Sequence, residues 1–289
     1  MCTGTRNEPR GKRGEGGGCR AQLEQPGPAA RRVGVGAQDG VPRPGRGAEV
    51  APRDGAARVQ ILSLHGGAYI EEIGGNHWHL IEQLVTEGAA RVTVAVHPLA
   101  PRGTASAVVP DLTALAGRLT ADGSLPTVFM GDSAGGGLAV KPAQRLRDTG
   151  GTLPDELVLI SPWLDAVMDS PGIADLQPYD PMLGVEALRY CGSLRAGELG
   201  LAHPWVGPLR GSRAGLPRTT VFAGTRDILT ADARRFRDLA TAEGVEVDYA
   251  EAAGQIHVYP LWPTAEGHRA RRHLLASLPA LAGSPIVRR

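Results

Sequence analysis

The sequence predicts an α/β fold, a mostly parallel central sheet flanked by helices, and three observations predict it. Short apolar runs recur along the chain, helical segments lie between most of them, and several of those segments stop at glycine. Runs that are apolar throughout suit strands covered on both faces, as in a parallel sheet between two helix layers.

In chain order the strand-like runs are "RVQILSL" from Arg58, "RVTVAV", "TVFM", "ELVLIS", "TTVFAG" and "VEVDYAEA", the last ending at Ala252. The helical segments between them are "WHLIEQLVTEG", "VVPDLTALAGRLTADG", "GLAVKPAQRLRDTGG" and "TADARRFRDLATAEG". One stretch breaks the alternation. Residues 163–217, between "ELVLIS" and "TTVFAG", are rich in proline and glycine, with a possible helix around "VEALRYCGSL". They predict an excursion over the end of the sheet, where loops at the carboxyl ends of strands carry chemistry.

Residues 1–57 have another character. The first 50 hold 12 of the 40 glycines, a single leucine, and no isoleucine, phenylalanine, tyrosine or tryptophan. Such a segment buries too little apolar surface to offset its ordering entropy, so a low-complexity, disordered arm is expected there, with the folded domain over 58–289. Within the arm, "GVGAQDG" (Gly34 to Gly40) resembles a dinucleotide-binding loop, but Asp39 stands where the third glycine belongs and no good strand precedes it.

The 31 basic and 30 acidic side chains nearly cancel, which offers no field to hold nucleic acid or an anionic membrane surface. Three cysteines, Cys2, Cys19 and Cys191, make no paired framework, and no segment reads as a leader or a membrane span. A cytoplasmic location is expected.

The chemistry starts at "MGDSAGGGLA". Gly131-Asp132-Ser133-Ala134-Gly135 fits G-x-S-x-G and stands after a strand and before a helix, where the turn must be sharp and its neighbours small. Ser133 is the candidate nucleophile, raised at a helix N-terminus that favours developing negative charge. Earlier, "LSLHGGAY" places Gly66 and Gly67 after a strand. Backbone N–H groups there, with that of Ala134, are expected to hold a substrate oxyanion, each donor contributing on the order of 100- to 1000-fold in rate. Asp227 lies just past the strand "TTVFAG" and can orient a histidine. The alternative role, a helix cap, is assigned to Thr230, with Asp232 in the first turn. His257, in "AGQIHVYP", follows the last strand and completes a Ser-Asp-His set.

The other seven histidines carry no such pattern. His77 and His79 are two apart, not the i, i+4 pair of a zinc helix. His97, His203, His268 and His273 show no partner in the sequence, and His65 is expected to shape its own loop. No metal site and no cofactor are expected.

"HGGAY", "LAPRGTASAVVPDL", "GDSAGGGLA", "SPWLD", "GTRDILTADARRF" and "GQIHVYP", in this order and spacing, resemble the hormone-sensitive-lipase-like branch of the α/β-hydrolases, the bacterial family IV esterases. The similarity runs from about Ala51 to the C-terminus. It implies the α/β-hydrolase fold, with the excursion between strands 6 and 7 in the family's count. It also implies a serine carboxylic-ester hydrolase for short or medium acyl esters or small lactones. Ser133, Asp227 and His257 would form the triad, Gly66, Gly67 and Ala134 the oxyanion donors, and Tyr69, Trp163 and Leu164 would line the substrate pocket. Relatives often pair through the sheet edge, here near "VEVDYAEA", so a homodimer is a further expectation. A non-catalytic small-molecule receptor on the same fold, or a catalytically impaired member, is the alternative.

Two features depart from the family pattern. Cap helices and first strands usually precede the HGG loop, and the arm shows neither apolar periodicity nor strand-like runs. Lys141 and Pro142 fall inside the helix that supports Ser133, where a proline typically costs about 3 kcal/mol or kinks the helix.

Overall fold

A computed structural model describes residues 30–34, 47–53 and 57–283. The loop "GVGAQDG", beyond Gly34, lies outside the described residues, as do Cys2 and Cys19. The strands are β1 (Ala30–Gly34), β2 (Gly47–Pro52), β3 (Val59–Leu64), β4 (Ala90–Ala95), β5 (Thr127–Asp132), β6 (Glu156–Ile160), β7 (Arg218–Arg226) and β8 (Val247–Ile256). They form one eight-stranded sheet in the order β1-β2-β4-β3-β5-β6-β7-β8. β1 and β2 are antiparallel to their neighbours, and all pairs from β4·β3 to β7·β8 are parallel.

Six of these strands are the six apolar runs. The other two correct the sequence reading, since β1 and β2 lie within residues 1–57, where no strand was expected. A domain boundary at residue 58 therefore cuts two strands off the sheet. The physical reason lies in β2 itself. It needs only backbone pairing along Gly47↔Ala95 to Val50↔Val92, plus one deeply buried side chain, Val50, so its sequence carries no apolar periodicity.

The helices are α1 (Gly75–Thr86), α2 (Ala105–Asp122), α3 (Ala134–Asp148), α4 (Ile173–Leu176), α5 (Val185–Ala196), α6 (Thr230–Ala242) and α7 (Ala265–Gly283). Alternate side chains of β3 divide between two cores, as the pleat requires. Val59 and Ile61 pack with Leu80, Ile81 and Leu84 of α1 and with Leu274 and Leu278 of α7. Leu62 and Leu64 pack with Leu112 of α2, Leu138 of α3 and Phe236 of α6. The excursion carries α4 and α5, and α5 is the helix expected around "VEALRYCGSL".

At the centre, α3 continues through Pro142 without interruption. Lys141 beside it is 1% exposed, and its amine donates to the Tyr69 hydroxyl at 3.2 Å. Burial pushes the Lys141 pKa well below that of an ordinary lysine, and the neighbouring Arg195 cation pushes the same way.

Candidate active site

β5 and α3 meet at Ser133 with almost no intervening loop. Ser133 sits at φ 51°, a region side chains rarely adopt, and this turns its hydroxyl away from the sheet. The glycines make that turn possible by removing atoms. A Cβ on Gly131 would lie 2.2 Å from the Gly135 carbonyl oxygen, and one on Gly135 would lie 1.9 Å from that of Leu64. The turn is then pinned from outside, because the Trp163 N–H donates to the Ser133 carbonyl at 2.8 Å and the Ser133 N–H to that of Ile160 at 2.9 Å.

The three residues expected to act together are brought together. The Ser133 hydroxyl donates to His257 Nε2 at 2.9 Å, and His257 Nδ1–H donates to Asp227 Oδ2 at 2.9 Å. Asp227 is fully buried, and its other oxygen accepts the Leu229 N–H at 2.9 Å. Two residues beyond these three steady their loops. Asp180, from the excursion, accepts the Ile228 N–H at 2.8 Å, and the Trp262 indole donates to the His257 carbonyl at 3.0 Å. Burial works against a charged His257. The Asp227 carboxylate, by charge and by hydrogen bond, works for it with help from Asp132 and Asp180, and the net result is a pKa above the ordinary histidine value.

Thr230 does not cap α6. It is the first helical residue, and its hydroxyl donates to the Gly224 carbonyl at 2.6 Å. Asp227, three residues before the start of α6, takes up the N–H of Leu229, and α6 itself has no side-chain cap. Asp232 is fully buried and binds the N–H groups of Leu164 and Asp165 at 3.2 and 2.9 Å. Desolvation raises its pKa to about 7.

Among the expected oxyanion donors, one position differs from the expectation. The Gly66 N–H donates to Asp132 Oδ1 at 3.1 Å, so it is already committed to a carboxylate. Among the described residues, the N–H groups of Gly67, Ala68 and Ala134 have no partner. In the sequence nothing marks Ala68, since alanine gives no sign of a positive φ, yet it sits at 49°, next to Gly67 at 100° and Tyr69 at 66°. Tyr69, Trp163 and Leu164 are all core residues. The rings of Tyr69 and Trp163 lie 5.3 Å apart, and the Trp163 indole N–H donates to the Asp165 carbonyl.

The remaining histidines have more partners than the sequence suggested. His65 Nδ1 donates to the Gly66 carbonyl at 2.8 Å, the loop-shaping bond expected of it, and its ring stacks on His97 at 4.9 Å. Burial, with His65 beside it, drives the His97 pKa down to about 3. His77 binds Asp132, and His273 binds Asp248 at 3.0 Å. His268 meets Arg271, and His203 Nδ1 accepts the Trp205 N–H. The expectation that His203, His268 and His273 lack partners fails because each finds one only through the fold or a local turn. Among the described residues, no group of three or more His, Cys, Asp or Glu side chains could hold a metal ion, and no helix is long and apolar enough to cross a membrane.

A sequence profile of the family described as alpha/beta hydrolase fold matches residues 61–261. An acetyl-hydrolase of Streptomyces hygroscopicus is 32% identical over 216 residues, covering 73% of this chain and 72% of that protein. The solved structure of an esterase from the bacterial hormone-sensitive lipase family superposes with a TM-score of 0.75 at 30% identity, covering 88% of this chain and 84% of the other. This chain is a hormone-sensitive-lipase-like α/β-hydrolase. An esterase of Acinetobacter venetianus, 30% identical over 71% of this chain and 68% of that protein, agrees with the assignment. This α/β-hydrolase is thus a carboxylesterase-type enzyme, and its matched segment begins within β3 and ends just after the loop that carries His257.

Proposed function

We propose that this α/β-hydrolase cleaves short or medium acyl esters, or small lactones, through an acyl-enzyme on Ser133. The observation that carries the reading is the unbroken hydrogen-bond chain Ser133–His257–Asp227, with both links at 2.9 Å. His257 Nε2 takes the hydroxyl proton as Ser133 Oγ attacks the ester carbonyl, and Asp227 holds the imidazole in the tautomer that leaves Nε2 free to accept. The carbonyl oxygen, now an anion, is held by the N–H groups of Gly67, Ala68 and Ala134. Collapse of this intermediate expels the alcohol, which collects the proton from His257. Water, deprotonated by His257, then attacks the acyl carbonyl and frees Ser133 with release of the acid.

The triad and the donors belong to the chain itself, so the reaction as proposed calls for no cofactor. The acetyl-hydrolase name of the Streptomyces relative supports the shorter acyl groups. β8 forms one edge of the sheet, which supports pairing with a second copy.

Hydrolysis of p-nitrophenyl esters from acetate to laurate by wild type and Ser133→Ala, with a circular-dichroism melt of each, tests the reading. Activity is expected with the shorter esters and lost in the variant at an unchanged melting temperature. A Ser133→Ala protein that still turns over would overturn it.

A further inference from the structure

The triad and the oxyanion loop arrive from different strands, and one carboxylate joins them. β3 and β5 are parallel neighbours in register at Leu64↔Gly131, so the next residues of each chain, those of the oxyanion loop and of the nucleophile turn, leave the sheet side by side. Asp132 Oδ1 accepts the Gly66 N–H at 3.1 Å, and Asp132 Oδ2 accepts from His77 Nε2 at 3.2 Å. The fit is close. A Cβ on Gly66 would lie 2.3 Å from Asp132 Oδ2 and 3.0 Å from the Ser133 Cβ.

His77 is held for this task. The Gly74 N–H donates to its Nδ1 at 3.0 Å, which fixes Nδ1 as an acceptor and places the ring proton on Nε2, facing the carboxylate. The bond between His77 and Asp132 is partly buried, with the two side chains 20% and 10% exposed, so it is less weakened by water than a surface pair. Gly74 stands immediately before α1, so the chain Gly74–His77–Asp132–Gly66 ties the start of that helix to the loop of donors.

Resting on the proposed triad and donor loop, we infer that His77 is a positioning residue for the oxyanion hole. Through Asp132 it holds Gly66, and with it the N–H groups of Gly67 and Ala68, at the distance from Ser133 that the transition state requires. His77 touches neither substrate nor triad. Its loss frees the Asp132 carboxylate to turn toward water, and the donor loop drifts from the elbow. A displacement approaching 1 Å near the reacting atoms can cost up to about 100-fold, and a partial drift correspondingly less.

The test compares wild type, His77→Ala, His77→Gln and Ser133→Ala on p-nitrophenyl acetate, with binding of a trifluoromethyl ketone whose adduct presents an oxyanion to the donors. For His77→Ala, kcat is expected to fall roughly tenfold with KM within about twofold, and affinity for the ketone to fall by the same factor as kcat. The glutamine amide can donate to Asp132 and accept from Gly74 as the imidazole does, so His77→Gln should recover most of the loss. A His77→Ala enzyme with unchanged kcat and ketone affinity, alongside an inactive Ser133→Ala, overturns the inference and leaves the triad reading standing. Equal loss in the alanine and glutamine variants also overturns it. A Ser133→Ala enzyme that remains active removes the reading beneath it.

Discussion

Replacing Lys141 with methionine removes a buried amine from the helix that follows Ser133 while keeping nearly the same side-chain volume. The amine is 1% exposed, and the Tyr69 hydroxyl at 3.2 Å is its hydrogen-bond partner. The buried Arg195 guanidinium lies over the same tyrosine ring, at 5.0 Å from its centroid against 5.2 Å for the lysine nitrogen. Exchanging a buried ionisable group for well-packed apolar atoms typically stabilises by about 1–4 kcal/mol, and an orphaned Tyr69 hydroxyl returns about 1–3 kcal/mol of that. A net gain of about 1 kcal/mol raises the melting temperature of a chain this size by roughly 2–4 °C. The sign of the pH dependence is fixed separately. Burial depresses the folded-state pKa of Lys141, so below 10.5 the unfolded chain binds a proton that the folded chain resists. Wild-type stability therefore gains from this group as pH rises toward the unfolded value and loses as pH falls. Methionine has no such term, so the variant's advantage should be largest near pH 6 and should shrink by pH 9.5. Circular-dichroism melts of both proteins across that range measure it. A difference that stays constant, or widens as pH rises, would refute the reasoning.

Three other changes test neighbouring parts of the argument. Gly66→Ala drives a methyl group into Asp132 and toward the Ser133 Cβ, and should lower kcat on p-nitrophenyl acetate by about 100-fold; a variant within threefold of wild type would show that the loop can yield. Asp227→Asn removes the charge that fixes the His257 tautomer and should reduce kcat by about 10⁴-fold with a cooperative melt retained, which stopped-flow and circular dichroism together would establish. Because His257 must be neutral to accept a proton and its pKa is raised, the acidic limb of the kcat/KM profile should lie above 6.5, with activity lost as pH falls through it; a limb below 6.5 contradicts the site electrostatics.

What could be read from the sequence follows from how local each signal is. The strands β3 to β8 announce themselves through runs such as "ELVLI", where every residue is buried. Ser133, Asp227 and His257 were readable because each stands at a strand end with a fixed relation to a turn, and the structure joins them. β2 was hidden because an antiparallel strand seated against β4 needs little more than Val50. The bond between His77 and Asp132 spans 55 residues and depends on the register of β3 with β5, so no local pattern could announce it. Gly66 heads the glycine pair and so reads as a donor, and only the Asp132 oxygen beside its N–H shows that the available N–H groups begin one residue later. Lys141 looked like a fault in a helix, but the fold places it against Tyr69.

The position of β8 at the edge of the sheet, with His257 directly beyond it, has a consequence for how the enzyme ages under stress. Ser133, the proposed nucleophile, directly follows β5, which has strands on both sides, whereas His257, the proposed base, follows a strand that among the described residues has a neighbour on one side only and many half-exposed residues. Margins open at lower free energy than interiors. Mild urea should therefore silence turnover before the backbone signal falls, a sequence of events that parallel activity and circular-dichroism titrations would resolve. On the proposed mechanism Ser133 would then outlast the base that activates it, and the working life of the catalyst would be set by the durability of its rim.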